Sequence, residues 1–219
     1  MTIQLHYFPG NASLIPHILL EELGESFELL YVDRAKSAQK SAAYLKLNPN
    51  GLIPVLVDGE FVLYETAAVC LHLADTHTKA GLAPALGTPE RAHFYKWLAW
   101  LTNTLQAALI IFYYPERWVN EGNAAGAAEV KAHAEAKIGA MLEQLDAQLG
   151  SHAARGKDWF LGERYSALDP YAFVLCRWTR GFARPARSLP QLGPYLQRML
   201  SRPAVQKALA TEKLQPPIV

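Results

Sequence analysis

Ile3 to Phe8 is a short strand-like run, and Pro9-Gly10-Asn11 punctuates it. Apolar residues then recur at 14, 15, 18, 19, 20 and 23, a helical spacing, and Gly24 follows as a helix-ending residue would. Phe27 to Val32 reads as a second strand. Ser41 to Leu47 reads as a short helix, stopped by the breaker cluster Asn48-Pro49-Asn50-Gly51. Pro54 to Val57 and Phe61 to Tyr64 flank Asp58-Gly59-Glu60 and predict a hairpin. Glu65 to His77 is helical again. The order β-α-β-α-β-β-α predicts a parallel strand pair extended by an antiparallel hairpin, so a mixed four-stranded sheet with helices on its faces.

Beyond this point every periodic signal is helical. Lys79 to Pro89 (KAGLAPALGTP) is rich in Gly and Pro, has no period, and reads as a linker. Residues 90–114 predict a long helix carrying Trp97 and Trp100, and residues 126–149 a second one. Ser166-Ala-Leu-Asp169 resembles a capping box that opens a third: the serine oxygen takes a backbone N–H and the carboxylate reaches back. Residues 191–201 and 203–212 give two shorter helices. The expected organisation is therefore an α+β domain at 1–79, a linker at 80–89 and an all-helical domain at 90–219.

Composition narrows the function classes. The chain of 219 residues is 51% hydrophobic and 19% charged, enough apolar content for a sizeable core. A formal charge of +1 argues against electrostatic capture of nucleic acid or of an anionic membrane. The charge is divided, with 5 Lys/Arg against 9 Asp/Glu in residues 1–79 and the excess basic charge beyond, which supports two parts. Cys70 and Cys176 lie in apolar runs and suggest buried thiols of a reducing compartment. The start MTIQLHYFPG lacks a secretory pattern. Leu105 to Tyr114, the longest apolar stretch, is about half a bilayer span and reads as a core helix. The expected location is the cytoplasm. The seven histidines show no ligand spacing, so no metal is expected.

Three segments carry candidate chemistry. Pro9-Gly10-Asn11-Ala12-Ser13 joins a strand to a helix start, where exposed amides attract an anion. With Ser13 as N-cap, Pro16 falls at the third helical position, where its missing N–H breaks no intrahelical bond. Leu52-Ile53-Pro54-Val55 opens a strand with proline. A cis Ile53–Pro54 bond would turn the Ile53 backbone outward to pair with an extended peptide. Glu65-Thr66 either caps the following helix or receives a ligand's ammonium and carboxylate.

Taken together, these residues resemble soluble glutathione transferases. NPNGLIPVLVDGEFVLYETAAVCLHLAD (48–75) is close to that family's signature, Ser166 and Asp169 match its helix cap, and SRPAVQKAL (201–209) looks like its terminal segment. PGNASLIPH most resembles bacterial members near the beta class. The resemblance implies a thioredoxin-like first domain that binds glutathione and a helical second domain that contributes an electrophile pocket. It also implies a homodimer. Leu52, Ile53 and Pro54 would meet the cysteinyl part of glutathione, and Glu65 and Thr66 its γ-glutamyl end, with the sulfur at the start of the helix after Gly10.

One departure bears on the chemistry. The beta-class cysteine position holds Ala12, which excludes a mixed disulfide there, and the serine position of several other classes holds Asn11. Ser13, Asn11 and Tyr7 are thus three competing donors to a glutathione thiolate, with Ser13 placed first. A transferase acting on small hydrophobic electrophiles is the expected function. A glutathione-dependent peroxidase or disulfide reductase, and a non-catalytic glutathione-binding protein, are the rivals. Phe112, Tyr113, Tyr114 and Trp118 are candidates to line the electrophile pocket or to serve as core or dimer packing. Gln106 falls near a beta-class histidine. Arg177, Arg180, Arg184 and Arg187, spaced three to four apart, read as a basic helix face, either solvated or facing an anionic partner.

Overall fold

The computed structural model describes residues 2–219, which separate into two compact units. The first comprises residues up to Ala83 together with Leu200–Pro216, and the second Pro84–Met199 with Pro217–Val219.

The first unit has the expected element order: β1 (Ile3–Tyr7), α1 (Leu14–Leu23), β2 (Phe27–Tyr31), α2 (Ala42–Leu47), β3 (Val55–Asp58), β4 (Phe61–Tyr64) and α3 (Thr66–Thr76). The sheet order is β2-β1-β3-β4, with β1 parallel to β2 and antiparallel to β3, and β3 antiparallel to β4. This is the thioredoxin-like mixed sheet. Leu5, Leu14, Ile15, Ile18, Leu19, Leu56, Val69 and Cys70 are fully buried and form the apolar interior. Gly24 ends α1 at φ 67°, the left-handed geometry glycine adopts without a Cβ clash.

The second unit is helical. It contains α4 (Pro89–Trp100), a π-helical segment (Leu101–Gln106) and α5 (Ala107–Tyr113), which together make the long helix predicted for 90–114. These are followed by α6 (Ala124–Ala153), α7 (Leu168–Trp178) and α8 (Leu192–Leu200). Ala134, Ile138, Met141, Leu142, Leu145 and Leu149 are the buried stripe of α6. α7 is buried from Leu168 to Arg177. Its start is the capping arrangement read from the sequence. The Ser166 N–H donates to Asp169 Oδ2 at 2.7 Å, and the Leu168 N–H donates to Ser166 Oγ at 3.3 Å. Among the described residues, no helix is long and apolar enough to cross a membrane.

The boundary differs from the expectation in one respect. Residues 200–216, read as part of the helical domain, join the first unit instead. The reason is α9 (Pro203–Thr211), which buries Val205, Ala208 and Leu209 and packs on α1. A two-pronged ion pair ties Arg202 to Glu22 at 2.6 and 2.7 Å, and Lys207 Nζ meets Glu21 at 2.6 Å. Helical periodicity reveals an apolar face and not its partner, so the sequence pattern alone assigns such a helix to its neighbours in the chain.

Candidate active site

The strand register gathers the candidate residues at one end of the sheet. Tyr7 pairs with Tyr31, His6 with Val55, and Val55 with Tyr64. One residue further on, Tyr31, Tyr7, the Ile53–Pro54 bond and Glu65 follow one another across the sheet, just before the α1 and α3 helix starts. Ile53–Pro54 is cis.

The segment before Pro54 is fixed by side chains. Asn48, 2% exposed, accepts the Asn50 N–H through Oδ1 and donates Nδ2–H to the Leu52 carbonyl at 2.9 Å. The Tyr44 hydroxyl donates to the same carbonyl, also at 2.9 Å. Gly51 has φ 61°, and a Cβ there would lie 2.8 Å from the Gln39 carbonyl, so only glycine fits. Leu52 is therefore a spent acceptor with an exposed side chain. Ile53, next in line, engages neither its N–H nor its C=O within the described chain.

Glu65 and Thr66 do not cap α3 through their side chains. Glu65 stands at φ 70° with no side-chain cap bond, is exposed, and is one of few non-glycine residues in left-handed territory. Backbone held this way costs about 1–3 kcal/mol and is concentrated at functional sites. Thr66, 7% exposed, opens the helix with its hydroxyl uncommitted. A carboxylate and a hydroxyl beside free first-turn amides can receive an ammonium and a carboxylate together.

In the β1–α1 loop the three candidate donors have different fates. Ser13 is fully buried, accepts the Phe8 N–H at 3.2 Å and donates its O–H to the Phe8 carbonyl at 3.1 Å. It precedes α1 without capping it through its side chain. Its hydroxyl proton thus has an acceptor within the loop. Asn11 Oδ1 accepts the Ala12 N–H at 2.5 Å, which leaves the amide N–H₂ to donate. Tyr7 shares the side of β1 that meets Tyr31, with ring centroids 6.0 Å apart, whereas His6 meets Tyr44. Burial raises the Tyr7 phenol pKa, and Glu212 and Tyr31 push it the same way, so the hydroxyl stays a proton donor.

Glu212, just after α9, is a site-shaping residue that the sequence reading missed. It is 4% exposed, accepts the Gly10 N–H through Oε2 at 2.7 Å and meets His17 Nδ1 through Oε1 at 2.8 Å. An isolated Glu in a terminal segment carries no local signal of such a long-range bond.

In the second unit, Tyr171 O–H donates to Gln106 Oε1 at 2.6 Å and accepts from Thr102 at 3.2 Å, so Gln106 is an internal acceptor. Phe112 packs against Phe182 with ring centroids 4.3 Å apart and belongs to the packing. Tyr113 and Trp118 are 45% and 60% exposed, and Arg117 lies 4.0 Å from the Tyr114 ring. The Tyr113 hydroxyl donates to the Trp178 carbonyl. Burial raises its pKa, opposed by the positive charges of Arg180 and Arg177. The arginine row does not form a helix face, because α7 ends at Trp178. Arg177 is buried, Arg180 donates to the Arg177 carbonyl at 3.2 Å, Arg184 pairs with Glu143 at 2.6 Å, and Arg187 donates to the carbonyls of Arg180 and Val219.

This geometry agrees with what comparison with known proteins finds. Residues 12–76 match the glutathione S-transferase N-terminal domain, and residues 73–203 the glutathione S-transferase C-terminal domain. The chain belongs to the glutathione S-transferase family. Glutathione S-transferase GST-4.5 of Xanthomonas campestris is 31% identical over 97% of this chain and 100% of its own length. A Sphingomonad glutathione S-transferase complexed with glutathione superposes with a TM-score of 0.81 at 32% identity, covering 97% of this chain and 100% of that one. A glutathione transferase homologue from Sulfitobacter with bound glutathione gives a TM-score of 0.86 at 26% identity, covering 97% and 99%. The two domain matches agree with the two-unit architecture. In this glutathione transferase the start of α1 carries Asn11-Ala12-Ser13.

Proposed function

We propose that the protein binds glutathione along the end of the first unit's sheet, holds its sulfur as a thiolate at the start of α1, and transfers it to a small hydrophobic electrophile. The observation that carries this reading is the row of open groups at that end: the free Ile53 backbone, the uncommitted Glu65 and Thr66, and the donors of Tyr7 and Asn11. The Ile53 N–H and C=O would pair with the cysteinyl residue. Glu65 would take the γ-glutamyl ammonium, and the Thr66 hydroxyl with the α3 amides its carboxylate.

Magnitudes set what the sulfur needs. A free thiol has a pKa near ~8.5, and lowering it to ~6.5 takes about 2.7 kcal/mol. A helix end supplies roughly 0.3–1 and up to about 2 kcal/mol. One hydrogen bond to a charged acceptor supplies roughly 1.5–3. The helix start and one side-chain donor together meet the requirement, and Asn11 and Tyr7 are the donors whose protons remain available. The deciding experiment is ultraviolet titration of the glutathione thiolate with and without the protein. The expected result is a bound-thiol pKa about 2 units below the free value. Binding with an unshifted pKa would overturn the catalytic reading and leave a carrier. A homodimer and a cytoplasmic location belong to this same proposal and rest on the family likeness; sedimentation at micromolar concentration checks the first.

A further inference from the structure

Within the arginine row one member stands apart. Arg184 is closed by Glu143 at 2.6 Å, and Arg187 holds two backbone carbonyls. Arg180, half-buried, spends a single N–H on the Arg177 carbonyl, and no carboxylate meets its guanidinium among the described residues. An arginine carries five N–H donors in a rigid fork, so most of this fork is unused.

Its surroundings are aromatic. Tyr113 O–H lies on the Trp178 carbonyl, and the Arg180 head lies on the Arg177 carbonyl, so phenol and guanidinium occupy consecutive carbonyls at the C-terminal end of α7. Tyr113 is 45% exposed and packs edge-on against Phe112 at 5.2 Å, and Arg180 lies close enough for its charge to act on the Tyr113 phenol. The nearby charge is mostly positive: Arg177, and Lys131 lying 4.9 Å over the Phe112 ring. Glu135 accepts the Ala183 N–H. A helix C-terminus alone repels anions, so the arginine head is what makes this end receptive to one.

We propose that Tyr113 and Arg180 form a subsite for an aromatic ring bearing an anionic group, a carboxylate or sulfonate, with the ring against the Tyr113 side chain and the anion on the Arg180 fork. The ligand favoured there is an aromatic acid rather than a neutral arene. A charge-assisted bidentate contact of this kind is the strong class of hydrogen bond.

The test is direct binding of 3,5-dinitrobenzoate and of neutral 1,3-dinitrobenzene to the intact protein, read by tryptophan fluorescence. The wild type is expected to bind the benzoate roughly 10-fold or more tightly than the neutral ring, the scale of one charged hydrogen bond. Arg180→Gln is expected to abolish that preference, Arg180→Lys to keep part of it, and Arg184→Gln to leave it unchanged. Equal binding of the two rings by the wild type, or a preference that survives Arg180→Gln, overturns the subsite. Conjugation of glutathione to 1-chloro-2,4-dinitrobenzene is measured alongside. Its absence with the benzoate preference intact removes the transferase reading and leaves the anion site standing.

Discussion

The Glu212 carboxylate receives the Gly10 N–H at 2.7 Å, a bond between residues 202 positions apart in the chain. Its other oxygen meets His17 of α1 at 2.8 Å. A side chain after the last helix thereby fixes both the loop that precedes α1 and the helix itself. Glu212→Ala removes the carboxylate from the part-buried Gly10 N–H and from the buried His17 imidazole. Hydrogen bonds to charged groups contribute about 1.5–3 kcal/mol each, and stranded donors raise the cost. The expected loss is about 3 kcal/mol, or roughly 6–12 °C in Tm for a chain of this size. The KM for glutathione should rise as well, and Glu212→Gln should recover part of both. Thermal melts and steady-state kinetics check this.

The three loop candidates should separate in thiolate titrations. Ser13→Ala removes both bonds to Phe8, so it should lower stability by about 1–3 kcal/mol yet leave the bound-thiol pKa within a few tenths of the wild type. Asn11→Ala or Tyr7→Phe should raise that pKa by about 1–2 units, whichever supplies the hydrogen bond to sulfur. A Ser13→Ala shift as large as the other two would reinstate the serine.

Glu65 combines strained backbone with a free side chain. Glu65→Gly relieves the positive φ, worth about 1–3 kcal/mol, against a flexibility cost of about 0.5–1 kcal/mol. Stability is expected to hold or rise while glutathione affinity falls roughly 10-fold or more. Glu65→Ala keeps the strain and loses the affinity alone. Calorimetric titration and denaturant melts on the two variants give the comparison.

Asp169 sets a pH dependence in the second unit. Burial raises its pKa to about 6, against the opposing bonds from the Phe160 and Ser166 N–H groups and the Tyr195 and Ser166 hydroxyls. The folded state therefore binds this proton more tightly than the unfolded chain. Its contribution to stability is fully present below pH ~4 and is lost as pH rises through about 6, a span of about 3 kcal/mol. Denaturation curves between pH 4 and 7 should show this slope in the wild type and its absence in Asp169→Asn.

The fold was legible wherever a local signal was enough. The Asp58-Gly59 turn, the helical spacing after Asn11 and the Ser166–Asp169 cap each lie within a few residues, and each is found in place. What escaped depends on long-range partners. The arginines share a helical spacing, yet α7 stops at Trp178 and each goes to a different acceptor. Glu212 and the placement of α9 on α1 leave no local trace.

The return of residues 200–216 to the first unit also orders events during synthesis. Ribosomes release the sheet and α1 early, but the carboxylate that braces Gly10 emerges only after the whole helical unit. The nascent first unit must wait for its final piece, and a chain terminated at the α8 boundary would carry every candidate ligand residue yet lack the brace on Gly10 and His17.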